Sequence, residues 1–362
     1  MSTLPLRIPR ATTAAGGKIR VLVVDDSVVI RHLLQQALRE DAEVEVAGTA
    51  ADGAAALEQI PLLKPDVVTL DIEMPVMDGL ETLRRIRQRH PRLRTIMFST
   101  LTTRGASATF EALSLGADDY VAKASNAGSL EKSLASLRTE LIPKIKQFFA
   151  LSGGPVRPAL AVPRRTPSRM ARPRVLAIGV STGGPQALAA LIPKIPAGFP
   201  IPILIVQHMP AMFTRLLAER LQGLSPLRVA EATAGMAITP GRVFIAPGDY
   251  HLKVRPAGPS AFVTAIDQGP HENSCRPSVD ALFRSLAENY GGAVLSVVLT
   301  GMGSDGLHGI EKLKAAGAFS IVQDEATSVV WGMPGSIARA GFADCILPLD
   351  QIAPELIRRS AG

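Results

Sequence analysis

Cysteine is almost missing from this chain, whose 362 residues carry only Cys275 and Cys345. Two thiols build neither a disulfide framework nor a four-ligand zinc site, so a reducing compartment is expected and both read as small buried hydrophobes. Aromatic residues amount to 4%, which speaks against a base-stacking surface for single-stranded nucleic acid. No apolar run approaches the roughly eighteen residues of a membrane span, and residues 1–17, MSTLPLRIPRATTAAGG, hold no apolar core of a secretory signal. The expectation is a cytoplasmic protein without membrane insertion. Acidic residues are also absent from Leu151 to Arg174, where arginines stand at 157, 164, 165, 169, 172 and 174. Those arginines account for nearly all of the formal net charge of +7. The basic character thus reads as a solvated tether and not as a nucleic-acid-binding face, with an anionic partner as the alternative.

That tether, LSGGPVRPALAVPRRTPSRMARPR, has prolines at 155, 158, 163, 167 and 173. Proline at this density removes backbone donors and forbids helix. The expected division is residues 19–145, a linker at 146–173, and residues 174–361. In the first piece, apolar runs at Arg20–Val24, Glu43–Ala47, Asp66–Leu70, Thr95–Phe98 and Tyr120–Ala122 alternate with helix-length segments starting near Val28, Gly53, Gly79, Arg104 and Ser129. Five such β-α units imply a doubly wound, five-stranded parallel α/β sheet of flavodoxin type, with ligands beyond the carboxyl ends of the strands. The second piece begins the same way, with VLAIGV, a turn and a helix from about Gln186, followed by runs at Ile203–Val206, Val243–Ile245, Val294–Leu299 and Phe319–Val322. It is expected to be a second doubly wound, mostly parallel α/β unit. Its middle, from TPGRVFIAPGDYHLKVRP through AFVTAID, is read as hairpins attached to the parallel sheet.

Asp25 and Asp26 follow the first strand and Asp71 ends the third, so three carboxylates converge in one cleft. Like charges this close raise one another's pKa unless a cation intervenes, and an all-oxygen, partly open site suits Mg²⁺. A carboxylate screened in this way can attack a phosphoryl group. Lys123 after the fifth strand adds a cation at the same edge, and Ser99 after the fourth adds a hydroxyl.

The motifs VLVVDDS, LDIEMPVMDG, FST and DYVAK make this piece resemble a response-regulator receiver domain over about Ile19 to Ile145. The resemblance implies phosphorylation of Asp71 by a histidine kinase, with Ser99 and Lys123 contacting the phosphoryl group. It also implies Mg²⁺ held by Asp26, Asp71 and the backbone carbonyl of Glu73, with Asp25 close by. Ala124 departs from the usual proline after the lysine.

In the second piece, Ser181 lies in the turn Gly179–Gly183 after VLAIGV, His208 follows ILIVQ, and Asp305 sits in TGMGSDG after AVLSVVL. All three fall at carboxyl ends of strands. A serine hydroxyl needs a base to become a nucleophile, and a buried carboxylate fixes the tautomer of that base. Backbone N–H groups at the helix start, Thr182 among them, would face a tetrahedral oxyanion. Gly183 and Gly184 are expected to let the backbone approach a substrate closely. Two readings compete: Ser181 as a simple helix cap, and a glycine-rich nucleotide cradle, although the full G-x-G-x-x-G spacing and the Walker lysine are missing. Of the other histidines, His32 and His90 read as surface and His251 and His271 as part of the β-rich insertion. His308, three residues after Asp305, is the rival base or a solvated partner of that carboxylate.

Over nearly its whole length the chain resembles the chemotaxis-type protein-glutamate methylesterases, the CheB family, through IGVSTGGP, QHMP, IAPGDYHL, RPSVDALF, LTGMGSDG and VQDEATSVVWGMPG. The resemblance implies Ser181 as nucleophile, His208 as general base and acid, Asp305 as orienting carboxylate and the Met302 N–H as an oxyanion donor, with no cofactor at that site. It implies methylated glutamates of chemoreceptors as substrate, deamidation of some receptor glutamines, and a receiver that obstructs catalysis until phosphorylated. Ser304 stands where Asn is common. Within RPSVD, Ser278 reads as a helix N-cap and Arg276 as either structural or a contact to an acidic receptor helix. A DNA-binding regulator and a non-catalytic adaptor are the rival classes.

Overall fold

The computed structural model describes residues 17–100, 102–123, 130–149 and 172–361; the Ala124 departure and most of the tether lie outside them. The chain divides into two compact units, one within residues 9–153 and one within 154–362.

The first unit runs β1 (Ile19–Val24), α1 (Val28–Arg39), β2 (Val44–Ala50), α2 (Gly53–Leu63), β3 (Val67–Asp71), α3 (Gly79–Arg89), β4 (Arg94–Thr100), α4 (Thr103–Ser114), β5 (Asp119–Lys123) and α5 (Leu130–Gln147). Its five strands pair in the order β2-β1-β3-β4-β5, all parallel. Every residue of β3 is buried, as a strand covered on both faces requires. The helices start at side-chain caps: Ser27, Asp52, Asp78 and Thr102 each accept a hydrogen bond from a backbone N–H in the first turn. Gly79 brings α3 hard against the end of β3, since a Cβ there would fall 2.1 Å from the Asp71 carbonyl oxygen. The strand end that carries Asp71 is fixed by that contact.

The second unit runs β6 (Val175–Val180), α6 (Gly184–Leu191), a 3₁₀ turn (Ile192–Lys194), β7 (Ile203–Gln207), α7 (Ala211–Leu224), β8 (Arg228–Glu231), β9 (Arg242–Ile245), β10 (His251–Pro256), β11 (Phe262–Asp267), α8 (Val279–Tyr290), β12 (Val294–Val298), α9 (Leu307–Ala315), β13 (Phe319–Gln323), α10 (Met333–Arg339), β14 (Cys345–Leu347) and α11 (Leu349–Ala361). Seven strands form one sheet in the order β14-β13-β12-β6-β7-β9-β8, with every pairing parallel. The first strand, β6, is central, with β7 on one side and β12 on the other. The chain therefore reverses its winding at β6, the place where open α/β sheets leave a crevice beyond the strand ends.

The middle segment differs from the expected set of hairpins. RVFI is β9 and joins the parallel sheet. Only β10 and β11 form a hairpin, antiparallel from His251↔Asp267 to Pro256↔Phe262, and it is a sheet of its own. Leu252 and Val254 of this hairpin share a buried core with Leu282, Phe283 and Leu286 of α8 and with Leu204, Val206 and Phe244 of the large sheet. Each such side chain contributes about 1.5–3 kcal/mol of burial. The hairpin thus clamps α8 in place. Among the described residues no helix is long and apolar enough to cross a membrane.

Candidate active site

The ends of β6, β7 and β12 converge on Ser181, His208 and the loop from Thr300 to Asp305. Ser181 donates its N–H to the Thr300 carbonyl at 3.0 Å, and His208 donates its N–H to the Val180 carbonyl at 3.2 Å. Beneath both, the buried Gln207 amide donates to the carbonyls of Ser181 (2.9 Å) and His208 (3.3 Å). Three strand ends are therefore tied by backbone bonds before any side chain meets a substrate.

Asp305 is 2% exposed and is the most heavily hydrogen-bonded group of the site. Its carboxylate stands 2.7 Å from Nε2 of His208. It also accepts from the Ser278 hydroxyl (2.9 Å), the Asn273 amide (3.0 Å) and the N–H groups of Val279 (2.7 Å), Asp280 (3.1 Å) and Gly306 (3.0 Å). The carboxylate is thus the anion at the N terminus of α8, where unpaired N–H groups and the helix dipole favour negative charge. Burial raises its pKa, but His208 and the helix N–H groups outweigh this and hold it below the usual carboxylate range. For His208, burial acts to lower the pKa; the Asp305 hydrogen bond and then contact with the Cys275 thiol reverse the sign and leave the imidazole more basic than usual.

With Nε2 committed to Asp305, Nδ1 is the ring nitrogen left for a nucleophile. Among the described residues the Ser181 hydroxyl makes no hydrogen bond, to His208 or elsewhere. Such contacts commonly tighten only when substrate is bound. The helix-cap reading of Ser181 does not match the local structure: the N-cap of α6 is Gly183, and Ser181 offers only its carbonyl, to the Gly184 N–H at 2.8 Å.

The two glycines serve a different purpose from the expected one. Gly183 has φ +76 and its Cβ would fall 2.6 Å from Val329; a Cβ on Gly184 would fall 1.9 Å from the Gln207 amide oxygen. Both are buried, so their small size admits neighbouring side chains and not a substrate. Across the cleft, the Thr300 hydroxyl donates to the Thr182 carbonyl (2.9 Å), and the Gly301 carbonyl accepts from Gly332 and Met333 (3.0 and 2.9 Å). That pinning leaves Met302 at the rim, 42% exposed, with its N–H unbonded among the described residues.

Other residues depart from their sequence readings. His308 faces solvent, stands 3.9 Å from Glu311 and makes no hydrogen bond to Asp305 among the described residues. Arg276 is occupied internally, on Asp249 and on the carbonyls of Gln268 and Gly269. His251 is buried, accepting the Ser278 N–H and donating to the Pro270 carbonyl. Both cysteines are half-buried. Asn273 was not singled out by sequence reasoning, since nothing in its local pattern points at a carboxylate 32 residues ahead.

In the first unit, Asp25, Asp26 and Asp71 place ligand oxygens within 4.8 Å of one another. Lys123 Nζ lies 2.9 Å from Asp25 and 2.7 Å from Asp71. Ser99, Glu73 and Gly105 complete the cleft, and the Ser99 hydroxyl donates to the Gly105 carbonyl at 3.3 Å. The Glu73 side chain is exposed, 3.8 Å from Arg104. Burial, with the Asp25 charge helping, raises Asp71 to about 6 against the opposing pull of Lys123. Among the described residues the buried Asp25 Oδ2 has an ion pair but no hydrogen bond. A hard divalent cation fits this all-oxygen set.

Residues 176–356 match the CheB methylesterase family and residues 21–135 match the response regulator receiver domain. A protein-glutamate methylesterase/protein-glutamine glutaminase of Trichodesmium erythraeum (strain IMS101) is 50% identical, covering 94% of this chain and 99% of that relative. One of Nocardioides sp. (strain ATCC BAA-499 / JS614) is 49% identical over 95% of this chain and 96% of its own length. The crystal structure of the Thermotoga maritima CheB methylesterase catalytic domain aligns with TM-score 0.50 and 43% identity, over 52% of this chain and 99% of that domain. With two family matches in tandem and relatives alike along nearly their full length, the chain belongs to the CheB methylesterase family and carries a response regulator receiver domain ahead of the esterase.

Proposed function

We propose that this chain is a phosphorylation-activated serine hydrolase that demethylates glutamate methyl esters on chemoreceptors and deamidates particular receptor glutamines. The observation that carries the reading is the buried His208–Asp305 pair at the strand edge from which Ser181 leaves β6. The names of the relatives, methylesterase and glutaminase, supply the substrate class.

Ser181 Oγ attacks the ester carbonyl while His208 takes its proton, and Asp305 stabilises the imidazolium. The N–H groups of Met302 and Thr182 are assigned to the developing oxyanion. Collapse breaks the C–O bond and His208 returns the proton, so methanol leaves and the acyl group stays on Ser181. Water, deprotonated by His208, then attacks the acyl carbon; the bond from that carbon to Ser181 Oγ breaks as His208 returns the proton to Oγ, and the glutamate carboxylate leaves. With a glutamine side chain the same sequence expels ammonia.

Residues 19–145 are assigned to the receiver, 146–173 to the linker and 174–361 to the esterase. Asp71 is the phosphoryl acceptor from a histidine kinase, with Lys123 and Ser99 holding the transferred oxygens. Asp26, Asp71 and the Glu73 carbonyl, with Asp25 beside them, would hold Mg²⁺, which when bound supplies positive charge to a phosphoryl oxygen. Lys123 pairs with both Asp25 and Asp71 within the same cleft. The unphosphorylated receiver is assigned an inhibitory role, so deleting residues 1–150 should raise the basal rate; an unchanged or lower rate would refute it. A cytoplasmic location accords with receptor substrates.

The test is methanol release from methylated receptor cytoplasmic fragments by wild type and Ser181→Ala, each with and without a phosphodonor plus Mg²⁺. Activity that rises with phosphodonor and disappears in the alanine variant supports both assignments. Activity retained in Ser181→Ala removes the nucleophile assignment, and no activity under any condition favours an adaptor.

A further inference from the structure

A tight turn at Glu272–Cys275 reaches the His208–Asp305 pair from outside the three strand ends. Glu272 and Cys275 exchange backbone hydrogen bonds at 3.1 and 2.8 Å, and the two residues between them, Asn273 and Ser274, both have positive φ (51 and 62). Two successive left-handed residues are the mark of a type I′ turn, which asparagine tolerates better than most side chains. Arg284 of α8 anchors the turn through Glu272 at 2.6 Å.

Asn273 itself is exposed at the surface, yet its amide nitrogen points inward and donates to two buried carboxylates: Asp305 Oδ1 and Asp280 Oδ2, each at 3.0 Å. Asp280 is 1% exposed and its other oxygen accepts the Gly309 N–H of α9 at 2.6 Å. Two carboxylates so near each other repel, and burial intensifies the repulsion. One amide with two N–H groups spans them and gives each a proton to accept. Local backbone strain kept at such a place is of the kind that holds a functional side chain.

We propose that Asn273 is a positioning residue of the hydrolase, acting through Asp305: its amide bridges Asp305 to Asp280, holds the Asp305 carboxylate in register with His208, and closes both carboxylates off from water. The proposal rests on the hydrolase reading above, with Ser181→Ala as the control that separates the two.

The substitution Asn273→Gly removes the amide while suiting the left-handed backbone, so the turn survives. A hydrogen bond to a charged group is worth enough that kcat for methanol release by the full chain should fall about tenfold, with KM changed little because substrate is not touched. Asp280→Asn in the Asn273→Gly background removes one charge and returns an amide beside Asp305, so it should recover most of the lost kcat. A residue that serves only the fold would show no such rescue. Asn273→Asp, which keeps shape and turn preference but replaces the donor by a third carboxylate, should lose more than Asn273→Gly. Wild-type kcat in Asn273→Gly or Asn273→Asp, or a double variant no better than Asn273→Gly, overturns the proposal. If Ser181→Ala stays active, the hydrolase reading itself has failed, whatever the Asn273 variants do.

Discussion

The carboxylate of Asp305 lies 2.7 Å from Nε2 of His208 and is, at the same time, the anion on which the N terminus of α8 closes. One residue therefore orients the imidazole and secures the helix that the β10–β11 hairpin clamps. The orientation of the imidazole and the packing of α8 share a single buried charge.

Replacing Asp305 by Asn separates charge from shape. Asp305 holds the His208 pKa above its ordinary value, so neutralising it must lower that pKa and move the acid limb of kcat/KM to lower pH. At the same time kcat should fall by about a thousandfold to ten-thousandfold, because the amide no longer stabilises the imidazolium or enforces its tautomer. A pH–rate profile of methanol release for both proteins checks the two effects together. A limb that moves to higher pH would contradict the assigned role.

Ser278→Ala removes a hydroxyl that donates to Asp305 at 2.9 Å and accepts from Ala281 as the N-cap of α8. A lost cap costs about 1 kcal/mol of stability, and the esterase transition in urea should drop accordingly. Turnover should also fall, since Asp305 loses one of its donors. Lower stability with unchanged turnover would make Ser278 a cap alone.

Gly184→Ala drives a methyl group to 1.9 Å from the Gln207 amide oxygen. Overpacking of this sort costs about 1–3 kcal/mol, and here it displaces the amide that joins the carbonyls of Ser181 and His208. Gly198→Ala, where a Cβ meets nothing within 4 Å, is the matched control and should stay near wild type in unfolding midpoint and rate. Equal behaviour of the two variants would show that the Gln207 contact does not matter.

His308→Ala tests the rival base. Its imidazole is 73% exposed and pairs only weakly with Glu311, so methanol release should stay within about twofold of wild type, as for an ordinary surface substitution. His208→Ala should lose nearly all turnover in the same assay.

The architecture is legible in the sequence where strands are long and buried on both faces: apolar runs mark β1, β3, β6, β7 and β12 and thereby place Asp71, Ser181 and His208 at strand ends. Short strands are not legible. RVAE (β8) and CIL (β14) have four and three residues, too few to show a period, and only pairing with β9 and β13 makes them strands. Partners distant in the chain are equally hidden. Four of the donors to Asp305 come from 25 to 32 residues earlier, and the crowding around Gly183 comes from Val329. Turn composition suggested substrate access there, while tertiary packing uses the missing Cβ for side chains.

The receiver cleft yields a stability prediction with a definite sign. Burial lifts Asp71 to about 6 from an ordinary value of 3.8, so between those pH values the folded state binds a proton that the unfolded chain has released. The stabilisation is complete below the ordinary value and is lost as pH rises through about 6. At neutral pH the ionised carboxylate is therefore a cost, with Lys123 offsetting part of it. Asp71→Asn should raise the receiver unfolding midpoint at pH 7, and the gain should vanish near pH 4, as read by calorimetry of the full chain. Mg²⁺ should stabilise the wild-type receiver by binding only its folded form, and the assignment of Asp71 as a ligand predicts a smaller effect in Asp71→Asn. A midpoint that falls in Asp71→Asn at pH 7 would mean that the Lys123 pair outweighs burial. An equal Mg²⁺ response in both proteins would place the ion away from Asp71.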